Sequence, residues 1–269
     1  MIALREEEVM KSRGYASTVG VAYSAFTSNF RELLRFMWPY SLAYAIGIWL
    51  SSFIYMKLWP TIIGWLAEGR WLMAFGPWLL VLGLTVLFVL LLYGRTAMLL
   101  NNKSLAWNMA RLLTLMLCLL PVFILSLITL GLLWIPVAYP AYQYVVNTKA
   151  RFMSTFFKGY ATGLRHWGYM FLTQLLASIC AVLVMITISM PMIVLSFAQR
   201  VSTVGFLEGD PLGVPSYFGV LVGGVMIATA FVASFVTVFL IIVGYYMYGS
   251  VATRERERRM SYAQLEDDK

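Results

Sequence analysis

The most constraining feature of this sequence is a stretch of 37 residues, 112–148, that carries no charged side chain between Arg111 and Lys149. An α-helix rises about 1.5 Å per residue and a bilayer's hydrocarbon core is roughly 30 Å thick, so about 20 residues cross it once. The stretch is close to twice that length. We interpret it as two transmembrane helices joined by a tight turn at residues 129–131, which returns the chain to the side it left.

The composition indicates the same class of protein for the whole chain. Hydrophobic residues make up 61% and charged residues 12%, against roughly 45–50% and 25% in a soluble domain. Four further long charge-free runs occupy residues 36–56, 71–94, 166–199 and 211–253. The sequence therefore predicts an all-α, polytopic transmembrane helix bundle of about six spans with amphipathic interfacial helices.

The charge-free runs also predict where the helices and segments lie. We expect a cytoplasmic segment with an amphipathic helix at 1–35, a transmembrane domain at 36–250 and a cytoplasmic charged tail at 251–269. Residues 59–76 are interrupted by proline, glycine and charge, and are predicted to form an interfacial or re-entrant hairpin. The six spans are predicted over residues 37–57, 77–98, 110–129, 132–148, 167–196 and 217–249.

The distribution of positive charge favours this topology. Lysine and arginine accumulate in the short cytoplasmic loops of membrane proteins. With six spans and a cytoplasmic N-terminus, only Lys57, Arg70 and Arg200 of the 20 basic residues fall outside. A single crossing by residues 112–148 would move the cluster that follows Lys149 and the arginine-rich tail to the outside. We therefore predict that both termini are cytoplasmic.

The two halves of the chain share a pattern. An amphipathic segment precedes the first predicted span and another precedes the fifth, and a shift of 134 residues aligns Arg31 with Arg165. Parallel repeats over about 15–110 and 149–253 would place both entry helices on one side of the membrane. Aromatic and basic residues flank the spans of any membrane protein, so the match reflects either a duplication or that general pattern.

Three features resemble a known group of proteins: the amphipathic entry helix, the Leu-Trp-Ile-Pro sequence at 133–136, and the Gly-Leu-Arg-His-Trp-Gly sequence at 163–168. Together they resemble bacterial six-span proteins of the YciC-like and glycerophosphodiester phosphodiesterase membrane-domain-like families. The resemblance implies a six-span membrane domain of unknown function. It identifies no attached phosphodiesterase domain and carries over no catalytic residue.

Several kinds of chemistry are disfavoured by residue type. All twelve acidic residues lie outside the predicted spans, whereas ion-coupled relays place an ionisable group near the membrane midplane. His166 is the only histidine, so neither a multi-histidine metal site nor a membrane-embedded Ser-His-Asp triad is available. We expect no enzymatic activity, no cofactor and no nucleic-acid partner.

The remaining candidate residues are basic or amide side chains near the predicted span ends and inside the spans. Gln143 and Gln174 are predicted either to join helices by hydrogen bonds or to face a polar substrate. Our leading hypothesis is a non-enzymatic scaffold or accessory protein of the bacterial inner membrane, with anionic lipids and either another membrane protein or a second copy as partners. The alternative is an uncoupled transporter or lipid-handling protein with a cavity between two repeats. The predicted lipid-headgroup contacts are Arg31, Arg165, Arg254, Arg256, Arg258 and Arg259.

Overall fold

The computed structural model describes residues 6–129, 131–207 and 214–267, and within them all regular structure is helical. A short 3-10 helix, Ile135–Val137, precedes the sixth α-helix. Leu130 of the predicted turn and residues 208–213 lie outside the described residues. The helices are α1 (Glu6–Val9), α2 (Tyr15–Ser28), α3 (Phe30–Ala67), α4 (Trp71–Asn101), α5 (Leu105–Ile128), α6 (Ala138–Val146), α7 (Phe152–Arg165), α8 (Trp167–Leu207) and α9 (Phe218–Asp267).

Five of the described helices are long and apolar enough to cross a bilayer. They are α3, α4, α5, the Trp167–Ser202 part of α8 and the Phe218–Gln264 part of α9. The predicted class, an all-helical membrane protein with several candidate spans, is confirmed. The count of six spans is not confirmed.

The helix predicted over 132–148 is much shorter in the structure. Its only regular elements are the Ile135–Val137 turn and α6, whose nine residues are about 14 Å long, less than half a hydrocarbon core. Pro136 stands at the start of the 3-10 helix, where its missing N–H costs no hydrogen bond. Proline there starts a new helix instead of bending a long one.

The two ends of residues 112–148 lie close together in the structure, whereas the predicted double crossing stays a prediction. α5 ends with Thr129 as its C-cap, and Gly131, at φ +79°, donates its N–H to the Ser126 carbonyl at 2.7 Å. A positive φ is a conformation that glycine adopts without strain. At the other end, Arg111 hydrogen-bonds to the carbonyl of Thr148. The two ends of the charge-free stretch therefore meet beside the first turns of α5.

Residues 59–76 differ from the predicted hairpin. α3 continues through Pro60 to Ala67, and α4 begins at Trp71. Only the three residues between them leave the helical conformation, with Gly69 at φ +73°. Proline inside an apolar helix removes one hydrogen bond without ending the helix when the flanking turns are intact. The segment is thus the junction of two long helices.

The chain divides into two compact units. The first contains the chain up to Met37, Tyr93–Ala181 and the chain from Thr237 onward. Its core is densest along the middle of α9, where the consecutive residues 242–251 are all buried. The buried hydrophobic residues of this run include Ile242, Val243, Tyr245, Tyr246, Met247, Tyr248 and Val251.

The N-terminal segment packs onto this part of α9. Val9 is fully buried, and a Cβ on Gly249 would collide with the Val9 carbonyl oxygen. Ser250 donates its hydroxyl to the Lys11 carbonyl at 3.0 Å. Only a glycine at position 249 permits so close an approach of the two backbones. The N-terminal segment is therefore docked beside Gly249 and Ser250 of α9.

The second unit contains Trp38–Leu92 and Val182–Val236. Small residues there make room for aromatic rings: a Cβ on Gly47 would overlap the Phe88 ring, and one on Gly223 would lie 3.0 Å from the Trp49 indole nitrogen. Close approach at small residues is the usual way in which membrane helices pack. These two glycines are explained by packing inside the unit.

The order of elements is similar in the two halves. α2 and α7 are each 14 residues long, and each is separated by one residue from a helix of 38 or 41 residues. The separating residues, Asn29 and His166, have nearly the same conformation, φ −105°, ψ 13° and φ −103°, ψ 22°. The helix breaks at Asn29 and His166 correspond at a shift of 137 residues. This is three residues more than the shift of 134 that aligns Arg31 with Arg165. The duplication itself stays a prediction.

Candidate functional site

A single buried carboxylate, that of Glu255, gathers a group of basic side chains on the first unit. Oε1 of Glu255 lies 3.1 Å from Arg165, 2.9 Å from Arg258 and 3.5 Å from Arg259. His166 Nε2 is 3.7 Å from Oε2, too far for a hydrogen bond. Glu255 is only 6% exposed, and a buried charge is tolerated only when it is paired. We call these five residues the Glu255 cluster.

The cluster forms where two helices meet. Arg165 is the last residue of α7, and His166 interrupts the helix before α8 begins. On α9, Arg258 and Arg259 follow Glu255 by three and four residues, the spacings that bring side chains onto one helix face. The carboxylate thus fixes arginines from elements that are 90 residues apart in sequence.

His166 is held mainly in its neutral form. Burial lowers the pKa of His166 below its ordinary value of 6.5, the nearby Arg254 and Arg165 guanidiniums act in the same direction, and the Glu255 carboxylate opposes them. With a neutral histidine, three guanidiniums and one carboxylate leave the cluster with an excess of two positive charges. The site is therefore suited to an anion.

The two sequence motifs at 133–136 and 163–168 contact each other beside the cluster. Gly163 of α7 lies against Pro136, whose Cα would be 3.1 Å from an added Cβ. Trp167 donates its indole N–H to the Leu132 carbonyl at 3.3 Å. Tyr160 donates its hydroxyl to the Leu133 carbonyl, also at 3.3 Å. This contact positions the end of α7, and hence Arg165, against α9.

The other predicted headgroup residues lie outside the cluster. Arg254 stacks over the Tyr169 ring at 4.1 Å and donates to the carbonyl of Arg13. Its guanidinium thus ties α9 to the N-terminal segment. Arg31 and Arg256 are exposed. The structure therefore brings together three of the six predicted arginines and gives Arg254 a different set of contacts.

A cavity of about 360 Å³ lies within the same unit, and it is lined mainly by aliphatic and aromatic side chains. Tyr142 lines it, and also lines a second cavity of about 170 Å³. The Tyr142 hydroxyl donates to the Ile241 carbonyl at 3.0 Å, and Gly244 leaves space for the ring. The larger cavity is lined by Leu115, Leu119, Trp134, Val137, Ala138, Ala141, Tyr142, Gln174, Ala177, Ser178, Leu240, Val243, Gly244 and Met247.

The structure separates the two predicted intramembrane glutamines. Gln174 lines the larger cavity. Gln143 lies against Gly159 of α7, and its buried Oε1 has no hydrogen-bond partner among the described residues. An unsatisfied buried oxygen costs about 1–3 kcal/mol. The two amides do not line a common cavity, so any polar substrate in this cavity would meet Gln174.

Within the described residues, no group of three or more histidine, cysteine, aspartate or glutamate side chains is arranged to hold a metal ion. The fold and this site define a helical membrane protein with an arginine cluster built on a buried carboxylate. Comparisons with protein-family models, curated proteins and solved structures find no match for the chain. The resemblance to the YciC-like group therefore stays a prediction.

Sequence reasoning missed the role of Glu255. The sequence placed this glutamate outside the predicted spans and gave it no role, whereas the structure buries it as the residue that orients three arginines. A local signal was present, since Arg258 and Arg259 follow at the spacings of helical ion pairs. The contact with Arg165 had no such signal.

Proposed function

We propose that this protein is a non-enzymatic integral protein of the bacterial inner membrane that binds anionic lipid headgroups on its cytoplasmic face. In this role it acts as a scaffold or accessory protein of the cell envelope, with a membrane-protein partner or a second copy of itself. The observation that carries the proposal is the Glu255 cluster, in which one buried carboxylate holds three partly exposed arginines.

The buried carboxylate prepares the arginines for a second anion. A free arginine loses side-chain entropy when it is immobilised, and Glu255 has already fixed part of that freedom. Each guanidinium has five N–H donors, and Arg165 and Arg258 each direct only one terminal nitrogen at Glu255. The donors that remain can hydrogen-bond to phosphate oxygens, the acceptors that arginine binds best.

Exposure and charge are consistent with such a ligand. The side chains of Arg165, Arg258 and Arg259 are 47%, 38% and 74% exposed. Near an anionic leaflet each basic residue contributes about 1 kcal/mol, and the cluster has an excess of two positive charges. The expected preference for anionic lipid is modest. The competing explanation is that these arginines only fix the topology of the chain.

Lipid analysis of variants tests the proposal. We expect Arg165→Gln combined with Arg258→Gln to reduce co-purifying anionic lipid, measured by mass spectrometry of detergent-extracted protein. Arg151→Gln combined with Lys158→Gln is the matched control, because it also removes two positive charges, from exposed positions outside the cluster. Unchanged anionic lipid in a correctly oriented double variant would support the topological explanation and contradict ours.

We propose further that both termini are cytoplasmic. The contacts of Val9 and Lys11 with Gly249 and Ser250 support a common side for the two ends. The contact of Arg111 with Thr148 supports an even number of crossings by the stretch between them. The strong excess of basic residues in the segments that would then be cytoplasmic supports the orientation.

The six-span, two-repeat architecture also remains our proposal. It is supported by the equal lengths of α2 and α7 and by the single-residue breaks at Asn29 and His166. Under this architecture residues 112–148 would form a membrane hairpin with one long arm, α5, and one short arm that contains α6. Against a full crossing, the contacts of Leu132 with Trp167 and of Pro136 with Gly163 keep the tip of this hairpin beside the Glu255 cluster. Non-helical backbone at membrane depth is tolerated where protein surrounds it.

A lipid-handling protein or uncoupled transporter is the second candidate, and the cavity at Gln174 favours it. Such a protein should accelerate the movement of fluorescent lipid between the leaflets of reconstituted vesicles, and Gln174→Leu should reduce that acceleration. A scaffold would leave the rate at the level of protein-free vesicles. The assay therefore separates the two candidates.

A further inference from the structure

We propose that the cavity of about 360 Å³ holds one acyl chain of an anionic glycerophospholipid from the surrounding bilayer, and that the headgroup of the same lipid binds the Glu255 cluster. This inference rests on the proposed function, because the headgroup site is the one proposed there. The inference names the class of ligand, an anionic glycerophospholipid, and adds a second contact for that lipid, between its acyl chain and the cavity.

The chemistry of the walls matches a hydrocarbon chain. Apart from the amide of Gln174 and the hydroxyls of Ser178 and Tyr142, the lining side chains are aliphatic or aromatic. Apolar cavities of roughly 150 Å³ already accept a benzene-sized ligand, and ligand pockets begin at roughly 300 Å³. This cavity therefore has room for a segment of an acyl chain but is poorly suited to a hydrated polar solute.

The cavity is accessible from the apolar surface of the protein. Ser178 lines it and is an exposed residue of α8. Its neighbours Leu175 and Ile179 are 44% and 50% exposed. α8 is one of the helices long and apolar enough to cross a bilayer. A chain from a neighbouring lipid can thus enter between these side chains without passing through water.

Gln174 places a hydrogen-bonding group in the cavity wall. A hydrocarbon chain would make no hydrogen bond to this group. No hydrogen bond joins its amide to another described residue, whereas the Tyr142 hydroxyl is bonded to the Ile241 carbonyl. An amide N–H donor facing an apolar cavity suits an ester carbonyl, the polar group at the start of each acyl chain. A diacyl lipid offers that group together with the chain.

The two sites are suitably spaced for one molecule. Met247 lines the cavity, and Glu255 follows it by eight residues on α9, a rise of about 12 Å along the helix axis. The phosphate of a lipid lies beyond the hydrocarbon by a polar layer of roughly 5–8 Å per leaflet. The side chains of Arg165 and Arg258 extend from their backbones and can cover the remaining distance.

Photocrosslinking in vesicles tests the inference with the full chain. The probes are phosphatidylglycerol and phosphatidylcholine, each with a diazirine in one acyl chain, and labelled positions are identified by mass spectrometry. We expect the phosphatidylglycerol probe to label Ala141 and Ala177 about tenfold more than the phosphatidylcholine probe, the effect of one charge-assisted contact. Arg165→Gln with Arg258→Gln should remove that preference.

Filling the cavity should abolish the labelling inside it. Ala177→Phe places a large side chain in the cavity, whereas labelling of the exposed Leu183 on the same helix should persist. Ala198→Phe makes the same substitution at an exposed position of α8 outside the cavity and should leave both signals intact. Ala138→Leu, at a half-buried lining position, replaces Ala177→Phe if that variant does not fold.

The outcomes distinguish this inference from the proposed function. If neither probe labels the cavity while the double arginine variant still loses anionic lipid, the inference is overturned and the proposed function stands. If both probes label the cavity equally and the double arginine variant retains its anionic lipid, the cavity does bind an acyl chain. The inference that one anionic lipid occupies both sites is then overturned, together with the proposed headgroup site.

Discussion

Arg111 donates hydrogen bonds to the carbonyls of Thr148 and Ala150, at 2.8 and 2.9 Å, and so joins the two ends of a 37-residue stretch without charge. Its guanidinium also lies 3.8 Å from the centre of the Tyr144 ring and 4.6 Å from that of Trp107. Arg111 is only 9% exposed. Arg111 is therefore a principal contact that holds the returning segment, together with Asn101, which donates to the Val145 carbonyl at 2.9 Å.

We predict that Arg111→Gln lowers the free energy of unfolding by about 2–4 kcal/mol, because two charge-assisted hydrogen bonds and a stacked guanidinium are lost. Thermal unfolding in detergent measures the change. Arg151→Gln, at an exposed position before α7, is the control and should have almost no effect. Equal stability of the two variants would show that the stretch is held by other contacts.

The orientation of the chain gives a second prediction. A reporter active only in the cytoplasm should be active when fused after Lys269, and one active only in the periplasm should be active when inserted at Gly213. Both follow from an even number of crossings by residues 112–148 and from the distribution of basic residues. A periplasmic signal at Lys269 would be incompatible with this topology.

The burial of Glu255 gives a third prediction. Glu255→Gln should lower the free energy of unfolding by about 1–2 kcal/mol, less than for a fully buried pair because the arginines can turn to solvent. Glu257→Gln changes the charge equally at an exposed position of the same helix and should stay within about 0.5 kcal/mol. Thermal unfolding of both variants at one pH makes the comparison, and an equal effect would mean that Glu255 acts only as a surface charge.

His166 gives a fourth prediction, for the dependence of stability on pH. Its pKa in the folded protein is below 6.5 because of burial, so the unfolded chain binds the proton first as the pH falls. The contribution of His166 to stability is therefore fully present above pH 6.5 and declines as the pH falls toward the folded pKa.

The fourth prediction can be measured directly. His166 is the only histidine, so a nuclear magnetic resonance titration of labelled histidine reports its pKa without assignment. The decline in unfolding temperature below pH 6.5 should be smaller in His166→Asn, which lacks the titrating ring beside Glu255, Arg165 and Arg254. A folded pKa equal to 6.5 would remove the expected pH dependence, and a higher one would reverse its sign.

The close approach of α7 to the segment before α6 gives a fifth prediction. An added Cβ at Gly163 would collide with the Pro136 carbonyl oxygen, whereas one at Gly168 meets nothing within 4 Å. Gly163→Ala should cost about 1–3 kcal/mol through overpacking, and Gly168→Ala should be neutral or stabilise α8 by up to about 1 kcal/mol. Thermal unfolding compares the two alanines, and similar values would contradict the contact.

The long helices could be predicted because hydropathy and charge alone determine which residues enter a bilayer. The prediction for 110–129 differs from α5, Leu105–Ile128, by a few residues, and the turn at Gly131 has the positive φ that glycine favours. The short return arm could not be predicted. A run of apolar residues indicates only that the segment partitions into lipid. Whether Pro136 and Pro140 shorten a helix depends on the residues that pack around them, which the sequence does not show.

The candidate site was predictable in its charges but not in its geometry. Arg165, Arg258 and Arg259 were expected at the membrane surface because basic residues lie beside span ends. Which of the six arginines share a carboxylate depends on a contact between α7 and α9 across 90 residues. A single sequence carries no information on such a pairing, so Arg254 was grouped with the others although it binds the N-terminal segment.

The packing of Val9 against Gly249 has a consequence for biosynthesis. Residues 9–13 are synthesised long before the helix surface that buries Val9, since Lys11 and Ser250 are 239 residues apart. Until that part of α9 is made, the segment lacks this partner. Docking of residues 9–13 therefore follows the synthesis of α9 up to Ser250, and a chain truncated before Gly249 leaves that segment exposed to proteases.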